Sequence, residues 1–294
     1  MSTLHITNGD CTVDLFKVAG IVGTYLPWRD VLHMGPVPAG HSLEELSIVR
    51  ADFIASMGWG KKSQLANDFE TRDQTLASAE KFDKVLLWFE HDLYDQLQLL
   101  QVLAWFADYP DMISKLSLIN PATHLGRLSP SEIAQLLNTQ QDVTASQYEL
   151  AAQAWQAFTR ADLSEWANLL NQDTSTLPFL HNAIARSLGE IPDKRTGLTL
   201  TETLILMLVQ EGADQAQTLF KLYCEKEQNE FHGDLSFFWY VQQLIDDKPA
   251  MLNVQDGRYK LTELAHLILE GKQAWQRQYS KPHWLGGFCI SSAD

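Results

Sequence analysis

Four short stretches place acids, imidazoles and a guanidinium at spacings where chemistry could be done. "ITNGDC" carries Asn8, Gly9, Asp10 and Cys11, and "WRDVLH" carries Arg29, Asp30 and His33. "FEHDLYDQ" carries Glu90, His91, Asp92 and Gln96, and "SLIN" ends on Asn120. Carboxylates brought together raise one another's pKa unless a cation neutralises them. Oxygen-rich sets suit Mg²⁺, which is held by one or two carboxylates plus substrate phosphates. Asp10, Asp30 and Glu90 are therefore the candidate catalytic and metal-binding carboxylates, with Asp92 beside them. The chemistry would be metal-assisted phosphoryl or phosphodiester transfer. His33 and His91 are the candidate general acids or bases, because imidazole titrates near neutrality. Arg29 could clamp a phosphate in bidentate fashion.

Each residue also has a plainer use. Asp10 and Asp92 each precede an expected helix, where a carboxylate caps well. Gly9 could simply supply a positive φ. Cys11 follows Asp10 near a helix N-terminus, where a thiol pKa falls, but spacing assigns it no base. Glu90 is the hardest to assign to structure alone. It ends the five-residue apolar run "VLLWF", and a charge buried there needs a partner.

The elements that must position these residues alternate through residues 1–125. "TLHITN" is an expected first strand and "CTVDLFKVAGI" a helix. "GTYLPWRDVL" is an expected second extended segment, followed by the Gly- and Pro-rich "GPVPAG". Ser42 with Glu45 forms a capping box for a helix over 43–57. "DKVLLWFEHD" reads as a strand buried on both faces. "LYDQLQLLQVLAWFADY" is an amphipathic helix, and "SKLSLIN" is a fourth strand ended by Pro121. This alternation predicts a Rossmann-like parallel sheet with helical crossovers. In such sheets ligands bind at the carboxyl ends of the strands. Asn8–Gly9–Asp10, Arg29–Asp30, Glu90–His91–Asp92 and Asn120 would then share one rim.

Residues 126–192 read as a helical region. Ser129, Pro130 and Glu132 make a start signal, as do Thr144 and Gln147. Trp, Phe and Leu recur there at helical spacing, as core residues do. Residues 193–294 read as a third, α+β unit resembling a winged helix: three helices, then a hairpin around Asp256-Gly257. The third helix, over 235–247, has two Asp and no Lys or Arg. It lacks the cations that supply most affinity for DNA.

The whole chain has 294 residues and a net charge of −15, from 37 acids against 22 bases. No basic patch is visible, which argues against a nucleic-acid partner. The three cysteines, Cys11, Cys224 and Cys289, are far apart and match no metal-ligand spacing. Few cysteines, no signal-like N-terminus and no long apolar run predict a cytoplasmic protein with no membrane partner. There is no P-loop, dinucleotide fingerprint or HExxH motif. Oligomeric state cannot be read from the sequence.

"LHITNGD", "WRDVLHMGPVP" with Arg50 downstream, and "LLWFEHDLYDQLQLL" match in order and resemble the DUF1835 family of uncharacterised bacterial proteins. The likeness spans about residues 3–122, and "FHGDLSFF", "YKLTELAHLILEGK" and "WLGGF" resemble the C-terminal region that accompanies it. The resemblance implies that Gly35, Pro36 and Arg50 join Gly9, Asp10, Asp30, Glu90 and Gln96 as positions to test. Cys11 stands where that family usually has Ser. The expected function is a small-molecule-binding or enzymatic domain for a phosphate-bearing or nucleotide-like ligand, with Mg²⁺ assisting. The alternative is a ligand-sensing regulator or protein-interaction scaffold that uses the C-terminal unit.

Overall fold

The computed structural model describes residues 2–292. The chain divides into two compact units, one running to Ile184 and including Gly286–Phe288, the other holding Ala185–Leu285. No helix among the described residues is long and apolar enough to cross a membrane.

The first unit is α/β and carries a five-stranded sheet. Strands β1 (Thr3–Thr7), β2 (Thr24–Pro27), β3 (Lys84–Trp88), β4 (Leu116–Ile119) and β5 (Gln141–Asp142) lie in the order β2-β1-β3-β4-β5. The first four pair in parallel. The short edge strand β5 pairs antiparallel with β4, and nothing in its two exposed polar residues foretold it. β2 is shorter than its extended sequence suggested. Trp28 N and Arg29 N still donate to Thr7 O and Asn8 O, but Arg29 adopts a φ of 60°, which turns the chain out of the ladder.

Helices fill the connections. Helix α1 (Asp10–Ala19) leaves β1, α2 (Leu43–Ser56) and α3 (Lys62–Ala77) separate β2 from β3, and α4 (Leu93–Ala107) links β3 to β4. α2 begins with the capping box of Ser42 and Glu45. α5 (Pro130–Leu136) and α6 (Ala145–Thr159) begin with those of Ser129 and Thr144. Residues 126–184, mostly helical apart from β5, belong to this first unit, and the separate helical region expected over 126–192 is not a unit of its own. One core holds Phe16 of α1, Leu86 and Trp88 of β3, Ile119 of β4 and Ile133 of α5. β3 is buried from Val85 through Trp88, the reason its sequence does not alternate.

The second unit contains α9 (Leu200–Gln210), α10 (Ala216–Lys226) and α11 (Asp234–Asp246), reached through α7 (Ser164–Asn168) and α8 (Leu180–Leu188). A hairpin of β6 (Leu252–Gln255) and β7 (Arg258–Leu261) follows, then α12 (Glu263–Leu269). Asp256 and Gly257 have φ of 50° and 71°. Positive φ at both central residues is what a two-residue type I′ turn requires, and Asp-Gly meets it. Thr199 and Glu202 cap α9 reciprocally, as their spacing predicts.

Candidate functional site at the sheet rim

β3 stops at Trp88, and the peptide that follows is clamped from two sides. Asn120 Nδ2, just past β4, donates to Phe89 O at 2.6 Å. Gln96 Nε2, in the first turn of α4, donates to Glu90 O at 2.6 Å. Gln96 and Asn120 therefore position Glu90. The Glu90 carboxylate accepts from Leu125 N at 2.9 Å, and its other oxygen lies 2.7 Å from His124 Nδ1. Asp92 caps α4, accepting from Asp95 N at 3.1 Å, while its second oxygen stands 3.5 Å from the same His124 nitrogen.

A third acid completes the group. Asp95 accepts from Glu90 N at 2.7 Å and from Asn8 Nδ2 at 2.9 Å. Asn8 Oδ1 accepts in turn from Thr12 Oγ1 at 2.8 Å. A hydrogen-bonded chain thus runs from the end of β1 to the end of β3. Glu90, Asp92 and Asp95 are all buried, while His124 is the most exposed member at 15% of its side chain.

Crowding and burial act together here. Burial first, then the Glu90 charge, pushes the Asp92 carboxyl up to about 7. The same causes, with Asp92, raise Asp95 well above the usual carboxylate range. Hydrogen bonding to Glu90 raises His124. His91, whose ring centre is 4.8 Å from that of His124, is lowered by burial and by the His124 charge. A proton shared between an imidazole and carboxylates is one way to neutralise such a group. A divalent cation is another, because carboxylate oxygen and imidazole nitrogen both ligate metals. One donor atom from each of Glu90, Asp92 and His124 lies within 4.8 Å of the others.

The remaining sequence candidates have other duties. Among the described residues neither Asp10 nor Asp30 belongs to a group of metal-ligating donors, and each already has a guanidinium. Asp10 pairs with Arg29 through two bonds of 2.7 and 2.6 Å, both side chains largely exposed, and Arg29 holds the Asp10 carboxyl below its usual range. The Asp10–Asp30–Glu90 metal triad expected from sequence is therefore not assembled. Arg29 is not free to clamp a phosphate without giving up Asp10. Asp30 is buried against Arg50, at 2.9 Å from Nε. Arg50 also donates to Val31 O and Pro36 O, so it fastens the loop after β2 from within. Gly35 has a φ of 74°, and a Cβ there would stand 2.4 Å from the Phe53 ring. Arg50 and Gly35 thus serve the loop's packing.

Gly9 is extended, with φ −169°, so it does not supply the positive φ its type suggests. It is the N-cap of α1, and Asp10 is the first residue of the helix rather than its cap. Cys11 is exposed beside it. His33 is buried, its ring 5.7 Å from that of Tyr94. His124, Asp95 and Thr12 were missed by sequence reasoning. The strand-end rule placed Glu90, Asp92 and Asn8 at the rim where this cluster forms. His124, four residues past Asn120, sits in a coil that no periodicity marks.

No family model matches this chain, and no curated protein matches its sequence.

Proposed function

We propose that the first unit is an enzymatic or ligand-binding α/β domain that acts on a phosphate-bearing small molecule, with a divalent cation held by Glu90, Asp92 and His124. The observation that carries this reading is the convergence of those three donors at the carboxyl end of β3. Asp95, Asn8, Gln96 and Asn120 fix the donors, as supporting residues do in metal sites. The cation would take the place of the proton between His124 and Glu90. An imidazole ligand favours Mn²⁺ or another first-row ion over the Mg²⁺ that carboxylates alone would suggest. Phosphate is the ligand class because the neighbouring α1 N-terminus carries no side-chain cap and so offers N–H groups to an anion. His91, beside His124, is the group placed to move a proton.

The test is calorimetric titration with Mn²⁺ and Mg²⁺, then with nucleoside and sugar phosphates in the presence of the ion that binds. Binding in wild type that is lost in His124→Gln and Asp92→Asn, with both variants folded, supports the reading. Ion binding that survives both substitutions sinks it.

A second reading follows from the order α9–α10–α11–hairpin. We read the second unit as winged-helix-like, and the protein as a cytoplasmic member of the DUF1835 family. α11 carries no Lys or Arg, so this unit would contact protein rather than DNA. Binding to duplex DNA at physiological salt would refute that part.

A further inference from the structure

A cavity lies apart from the acid cluster, between α2 and α3. The two helices leave a cavity of about 440 Å³, within the range of small-molecule pockets. Ile48 and Ala51 of α2 and Ala66, Phe69 and Ala77 of α3 give it apolar walls. Ala51 and Phe69 belong to the small core beneath it, which fixes the floor. Ile48 is 64% exposed along one wall.

The charged lining is one-sided. Glu44, Asp52, Glu70 and Asp73 contribute carboxylates, against Lys62 alone. Lys62 is spent on Asp52, at 2.7 Å. Asp73 is buried and held by Ser47 Oγ and Arg72 Nε. Arg72 itself stands between the faces of Trp28 and Phe69, out of a ligand's reach. Glu70 accepts from the neutral Gln74 amide at 3.1 Å, which leaves its charge uncompensated by that contact, and Glu44 and Glu70 thus remain for a positive ligand. Burial above all raises the Asp73 carboxyl, and the Glu44 charge adds to it, so the two acids share one field.

We propose that the α2–α3 groove binds an organic cation, an apolar chain or ring bearing an ammonium group, with the apolar part between Ile48 and Phe69 and the ammonium at Glu44 and Glu70. Anions are repelled by the rim. Neutral apolar molecules gain only the walls.

The experiment is calorimetry of the full chain with n-octylammonium, 1-octanol and octanoate at two salt concentrations. Octylammonium is expected to bind more tightly than octanol and to weaken in salt, and octanoate not to bind. The double variant Glu44→Gln/Glu70→Gln should lose about ten-fold in octylammonium affinity, as two partly exposed charge contacts imply, with octanol unchanged. Ala66→Trp, at an exposed position on the wall, should abolish both while the melting temperature is kept. Octanol binding as tightly as octylammonium, no octylammonium binding, or binding that survives Ala66→Trp would each overturn the proposal. A wild-type dimer that Ala66→Trp dissolves would assign the groove to a second copy of the chain and overturn it as well.

Discussion

Two buried groups of acids, one at the sheet rim and one inside the second unit, are neutralised in different ways. In the second unit every acid of the group has a guanidinium. Arg186 holds Glu190 at 2.6 Å and Glu227 at 2.8 Å, and Arg277 holds Glu202 at 2.7 Å and Asp247 at 2.6 Å. Thr201, Tyr223 and Ser280 add hydrogen bonds to the same carboxylates. At the rim, Glu90, Asp92 and Asp95 face one imidazole and a set of amides. Within the matched group Arg186 pulls the Glu190 carboxyl below its usual range despite its burial, whereas burial still raises Glu202 beside Arg277; at the rim Asp92 is pushed up to about 7. A fold that only needs its acids buried can give them arginines. A rim that leaves three acids to one imidazole instead holds two of them toward the protonated form, and that difference distinguishes the candidate site.

The largest effect should come from breaking the matched group. Arg277→Met removes the partner of Glu202 and Asp247 and the cation stacked on Trp275 and Tyr279. Two carboxylates are left buried. Stability by urea unfolding should fall by about 3–5 kcal/mol. A loss under 1 kcal/mol would mean that these pairs are not holding the unit together.

His283 gives the next effect, and it depends on pH. Its ring lies 3.3 Å from the Tyr240 hydroxyl, and burial above all, with the Arg277 charge, lowers its pKa to about 4. An unfolded histidine takes its proton near pH of about 6.5. The unfolded chain therefore binds a proton that the folded chain refuses, and stability falls as pH drops from about 6.5 towards 4. The full loss is about 3 kcal/mol. His283→Gln should flatten that part of the stability–pH curve relative to wild type. Parallel curves would show that His283 takes its proton at the same pH in the folded and unfolded states.

At the rim the sign should reverse. Asp92→Asn removes a carboxyl that ionises at pH 8 against burial and the Glu90 charge, yet keeps a residue that caps α4 equally well. In the absence of metal it should raise stability at pH 8 by on the order of 1 kcal/mol, while abolishing divalent-ion binding. A loss of stability instead would place Asp92 among the structural acids and erase the distinction between the two groups.

The sequence made much of this visible where the cause is local. Four Ser or Thr residues with Glu or Gln three positions on mark helix starts, and all four capping boxes form. Asp256-Gly257 is a turn wherever it occurs between alternating strands. Helix α3 was hidden because its buried face includes Arg72 and Asp73 beside Phe69 and Leu76, and Lys61 offers no side-chain cap. Apolar periodicity cannot see an ion pair used as core. The candidate site was half visible for the same reason. Glu90, Asp92, Asn8 and Gln96 could be placed at strand ends, because the parallel sheet dictates that rim. Asp30 looked like a rim carboxylate, but its partner Arg50 lies a loop and a helix away. His124 belongs to a coil and is brought to Glu90 only by tertiary packing.

The smallest effect concerns Asp10 and Arg29, an exposed pair at the end of β1 and β2. Their side chains are 62% and 42% exposed, so water competes for both charges. An exposed pair is worth about 0.2–1 kcal/mol. Arg29 also holds a left-handed φ of 60°, which costs an L side chain about 1–2 kcal/mol and glycine almost nothing. Arg29→Gly should therefore leave stability within about 1 kcal/mol of wild type, or raise it slightly, whereas Arg29→Met keeps the backbone cost and loses the pair. If Arg29→Gly is no more stable than Arg29→Met, the left-handed backbone carries no cost at that position. If it is the more stable, that difference measures the backbone cost, and the loss from wild type to Arg29→Met measures the pair.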